Sequence, residues 1–78
     1  ELLLEKTLIT DELILLVNSS QFFNRDIIIY NSIGEKIKTF RTNALNRQTF
    51  SVSDLEGGLY FLAIQKSNLK PVKFVIVN

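Results

Sequence analysis

Asp54-Leu55-Glu56-Gly57-Gly58-Leu59-Tyr60-Phe61-Leu62-Ala63-Ile64 decides the fold of this 78-residue chain. Turn residues lead into two glycines, and a tyrosine follows two places after the second, at the head of an apolar run. A Tyr at such a corner packs its ring inward and bonds its hydroxyl to nearby backbone, which pins a crossover between two sheets. Gly58 allows the positive φ that the corner needs.

Outward from this corner, the apolar runs are short, β-branched and separated by turn residues, the pattern of strands. Seven strands are expected, near 1–5, 12–18, 25–31, 35–42, 47–52, 58–66 and 71–77. Ile27-Ile28-Ile29-Tyr30 and Val72 to Val77 are strong β formers. No window holds a helical period without also filling the gaps between its apolar positions. Asn31-Ser32-Ile33-Gly34 reads as a tight hairpin loop in which Gly34 takes φ > 0. Thr42–Asn46 and Ser67–Lys70 are further turns. The expected fold is therefore all-β, an immunoglobulin-like antiparallel sandwich of about seven strands in one domain over residues 1–78. Pro71 opens the last strand and has no N–H to offer, so that strand is expected at a sheet edge, where its loss would leave much of the fold intact.

Period-two alternation assigns Leu13, Leu15, Val17, Ile27, Ile29, Tyr60, Leu62, Ile64, Phe74 and Ile76 to the core. The same alternation turns Ile14, Leu16, Ile28, Tyr30, Leu59, Phe61, Val75 and Val77 outward. A free antiparallel sandwich carries polar residues there. Eight outward apolar positions on four strands predict a covered or sticky face, by self-association or docking.

The composition excludes most chemistry. With no Cys and no His the chain lacks disulfides, thiol nucleophiles, the usual general base and the usual zinc ligands. None of its serines has a histidine to activate it. No catalytic residue, cofactor or metal is expected. Oxygen ligands alone suffice for calcium, and Asp11-Glu12 or Asp54 with Glu56 are its only candidates. The net charge of +1 divides into −4 over residues 1–35 and +5 over residues 36–78. The bases are spaced rather than clustered, as on solvated strand faces. Lys36-Ile37-Lys38-Thr39-Phe40-Arg41 interleaves bases with an aromatic, but the near-neutral total argues against nucleic-acid binding. No apolar run reaches membrane-spanning length, so no membrane insertion is expected. The absence of Met marks the chain as an expected piece of a larger protein.

Three blocks carry a family resemblance. Asp26-Ile27-Ile28-Ile29-Tyr30-Asn31-Ser32-Ile33-Gly34-Glu35-Lys36-Ile37 is similar to one hairpin of the type IX secretion system C-terminal sorting domain (type A). Val52 through Ile64 resembles the later Gly-x-Tyr block of that family, and Lys73-Phe74-Val75-Ile76-Val77 resembles its closing strand. Glu5-Lys6-Thr7-Leu8 stands where the family usually has Tyr-Pro-Asn-Pro. The resemblance implies an immunoglobulin-like C-terminal address on a larger cargo protein. It further implies recognition by outer-membrane secretion and attachment proteins, and delivery through the outer membrane of a Gram-negative bacterium into the medium or onto the cell surface. The expected partner-recognition residues are Lys73, Phe74, Val75, Ile76, Val77 and Asn78, displayed on a fold held by Gly34, Gly58 and Tyr60. The alternative is an immunoglobulin-like accessory or adhesion module with no sorting role.

Overall fold

The computed structural model describes residues 2–77, and Asn78 lies outside the described residues. Eight strands run in the order β1 (Leu2–Leu4), β2 (Leu8–Ile9), β3 (Glu12–Val17), β4 (Asp26–Asn31), β5 (Lys36–Arg41), β6 (Arg47–Ser51), β7 (Gly58–Ile64) and β8 (Val72–Ile76). A three-residue 3₁₀ turn, Ser20–Phe22, is the only helical element among the described residues. Strands β1-β3-β6 form one sheet and β2-β8-β7-β4-β5 the other, which gives the all-β sandwich.

The alternation that the sequence shows is what joins these layers. Along β3 the odd positions Leu13, Leu15 and Val17 are at most 1% exposed, with half-buried or exposed residues between them. They form one core cluster with Ile27 and Ile29 of β4, with Tyr60, Leu62 and Ile64 of β7, and with Phe74 and Ile76 of β8. All ten residues assigned inward are buried there. Each such side chain stabilises the fold by roughly 1.5–3 kcal/mol on leaving water. Phe40 and Phe50 close one side of the sandwich, with ring centroids 4.7 Å apart.

One expectation about the sheets, the edge position of the closing strand, is corrected. The strands number eight, and one pair, β2 with β8, is parallel. The chain leaves the three-stranded sheet after β1 and crosses to the other, where Leu8 and Ile9 lie beside Val75 and Ile76. Val75 N–H donates to the Thr7 carbonyl at 2.8 Å, and Val77 N–H to the Ile9 carbonyl at 2.7 Å. The closing strand therefore lies between β7 and β2, not at the sheet edge. Two residues are too few to show a period, so β2 leaves no pattern to read. Nor is β8 dispensable, since Phe74 and Ile76 are 1% and 2% exposed.

Turn chemistry fixes the connections. Gly34 has φ +88° in the β4–β5 hairpin, and Asn31 Oδ1 accepts the N–H groups of Ile33 and Glu35 at 3.1 and 2.9 Å. Arg25 donates to three carbonyls, those of Gln21, Gln65 and Lys66, and so ties the 3₁₀ turn to the β7–β8 connection. Two buried polar side chains hold the passage between sheets. Thr42 Oγ1 accepts Arg25 N–H at 2.8 Å and donates to the Phe22 carbonyl at 2.7 Å. Gln48 Oε1 accepts Asn43 N–H, while its Nε2 donates to the carbonyls of Asn43 and Leu45. Gln48→Leu keeps the volume but removes all three bonds, at an expected cost on the order of 1–2 kcal/mol. Urea unfolding should show a lower midpoint with the same slope. A wild-type midpoint would mean that the 43–46 loop is held without Gln48.

Lys38 lies on edge strand β5 opposite Ile29, on the inner side of the sheet. Its ammonium passes 5.6 Å from the Phe40 ring and bonds Asp54 at 2.7 Å. An inward-pointing charge on an edge strand discourages pairing with other chains. The bond from Lys38 holds the Asp54 carboxyl below its ordinary range.

Candidate recognition surface

The corner that anchors this surface is built as the sequence implies. Tyr60 is 7% exposed, and its hydroxyl donates to the Glu56 carbonyl at 2.7 Å. Its ring stacks on Phe74 of the closing strand, with centroids 5.8 Å apart and planes 19° apart. Gly58 has φ +154°, a conformation that side-chain-bearing residues rarely adopt. A Cβ on Gly58 would meet only Tyr60 Cε2, at 4.0 Å, so dihedral strain rather than crowding selects glycine. The corner and the closing strand thus share one aromatic contact.

The residues expected to recognise a partner divide between two faces. Phe74 and Ile76 point into the core, while Lys73 and Val77 are exposed and Val75 is half-buried. Asn78 lies outside the described residues. Pairing with β2 covers the backbone edge of β8 at Val75–Val77 and stops short of Val72–Phe74.

The register also brings together residues that reading β8 alone leaves apart. Lys73 lies opposite Phe61 and Phe61 opposite Tyr30, and a register shift between Ile29 and Tyr30 sets Tyr30 opposite Lys36 and breaks the alternation that turns Lys38 inward. One row below, Leu8, Val75 and Leu59 are neighbours. Residues directly opposite share a face, so this is the outer surface of the five-stranded sheet. Leu59 is 37% exposed and Leu8 66%. Ile28, expected outward, is 6% exposed and so is buried, although it stands outside the core cluster. Among the described residues neither Lys36 nor Lys73 has an ion-pair partner.

The calcium candidates gain no support from this geometry. Asp54 is engaged by Lys38, and no group of three potential ligands assembles among the described residues. No helix of the described chain is long and apolar enough to cross a membrane.

A family model described as the secretion system C-terminal sorting domain matches residues 9–78. The chain belongs to that family. Its function is that of a C-terminal sorting signal for type IX secretion, and nothing supports the accessory-module alternative. No curated protein matches the sequence. The match begins at Ile9, after the Glu5–Leu8 stretch. Membership makes the chain part of a cargo protein that engages the type IX machinery and crosses the outer membrane to the cell surface or beyond. A sorting domain of this kind is not known as a catalyst.

Proposed function

We propose that residues 1–78 act as one folded sorting domain at the C-terminus of a secreted protein, and that outer-membrane secretion and attachment proteins bind it at the closing strand. The observation that supports this is the division of β8. Phe74 and Ile76 lock the strand into the core while Lys73, Val75 and Val77 face outward. The backbone edge beside Val72–Phe74 is left uncovered by β2, and a receptor strand can add to such an edge. The inward residues hold the strand in place, and the outward ones are what a receptor meets.

The test is export of a reporter fused to the chain, run beside a melting curve for each variant. Lys73→Ala is expected to lower export severalfold and leave the melting temperature within about 2 °C of wild type, as for an exposed, unpaired side chain. Wild-type export by both Lys73→Ala and Lys73→Glu would remove the closing strand from the recognition surface.

A further inference from the structure

The outer face of the five-stranded sheet carries more than the closing strand. Its central row reads Lys73–Phe61–Tyr30–Lys36 across β8, β7, β4 and β5. Two aromatic side chains, both half-buried, lie between two exposed ammonium groups. Val75 and Leu59 widen the apolar strip on one side. An ordinary solvated sheet would place polar residues at these central positions.

We propose that this row is a docking surface for an acidic protein segment of the export machinery, one that presents an apolar residue between two carboxylates. This rests on the reading of the chain as a sorting signal and adds the chemistry of what binds it. The two lysines stand three strand spacings apart, roughly 14 Å. An extended segment rises about 3.4 Å per residue and shows alternate side chains on one side, so acids four residues apart reach both lysines. The residue midway between them falls on Phe61 and Tyr30. Within the row the Tyr30 phenol is the one hydroxyl between the lysines, and no amide or carboxylate stands beside it to hold the several hydroxyls of a glycan. A second copy packed symmetrically on the same face would bring lysines against lysines, which costs affinity.

The experiment places a photo-crosslinking residue in the reporter fusion, as Phe61→p-benzoylphenylalanine or, in a second variant, Leu59→p-benzoylphenylalanine, in exporting cells. Leu16, on the outer face of the other sheet, is the control position. The expected result is a protein adduct from positions 61 and 59 but not 16. Its partner peptide, mapped by mass spectrometry, should contain at least two Asp or Glu residues. The double variant Lys36→Glu with Lys73→Glu should cut adduct yield about tenfold or more without lowering the melting temperature appreciably, since both positions are exposed and unpaired. An adduct of twice the fusion mass would identify a second copy, and a protease-resistant adduct a lipid or glycan. Either would overturn the proposal, as would a partner peptide without acids, adducts no stronger than at position 16, or insensitivity to the charge reversal. Export of the fusion is measured in the same cells. Export without an adduct overturns only the docking face, whereas a wild-type fusion that is not exported overturns the sorting role and this proposal with it.

Discussion

Phe74→Ala is expected to unfold most of the domain at 37 °C. The side chain is 1% exposed, stacks on Tyr60 and belongs to the strand that joins β7 to β2. Truncating a buried Phe costs about 3–5 kcal/mol, the lost transfer energy plus that of the cavity left behind. A domain of this size has in total about 4–12 kcal/mol, so one substitution removes a large share. With no disulfide in the chain, nothing else offsets the loss. Thermal unfolding followed by far-UV circular dichroism should show a transition at least about 12 °C below wild type, since about 1 kcal/mol moves a domain this small by about 4–8 °C. A shift below 5 °C would mean that β8 is not part of the core. The same physics changes how truncations are read. Removing Phe74–Asn78 deletes two core residues, so lost export from that variant reports unfolding as readily as lost recognition. Surface substitutions such as Lys73→Ala separate the two.

The second large effect belongs to the corner. Gly58→Val forces a β-branched residue to φ near +154°, a strain of order 1–3 kcal/mol. Tyr60→Phe leaves the ring in place and removes only its bond to the Glu56 carbonyl, for about 1 kcal/mol. The expected order of stability is therefore wild type, then Tyr60→Phe, then Gly58→Val. Gly58→Ala should fall below wild type as well, because the strain comes from φ and not from crowding. Wild-type melting of both Gly58→Val and Tyr60→Phe would show that the corner does not hold the fold.

The parts of the fold legible in the sequence were those written in local patterns. Gly58 and Tyr60 form a short-range motif whose partner, the Glu56 carbonyl, is four residues from Tyr60, and period two sorted the core residues of β3, β7 and β8 correctly but turned the buried Ile28 of β4 outward. What escaped depends on contacts distant in sequence. Leu8 and Ile9 become a strand only because Val75 and Ile76 lie beside them. Thr42 and Gln48 look like ordinary polar residues until the folded chain brings the loop carbonyls and N–H groups around them. Their only advance signal was the Asn-rich loop at 43–46, whose backbone groups need partners. Lys38 reads as a solvated base, yet the hairpin register turns it to the inner side of the sheet. The recognition surface was half visible. Outward apolar positions could be read strand by strand, but the row from Lys73 to Lys36 exists only once the register of four strands is fixed.

The central claim is that this folded chain directs export through the type IX system. Its most direct test fuses the 78 residues to a periplasm-targeted reporter and measures reporter at the cell surface and in the medium. The host strains are one with an intact type IX system and a matched strain without it. Export is expected from the first strain alone, and Phe74→Ala should abolish it by unfolding the signal. A fusion that stays in the periplasm of both strains, or leaves both equally, would contradict the account.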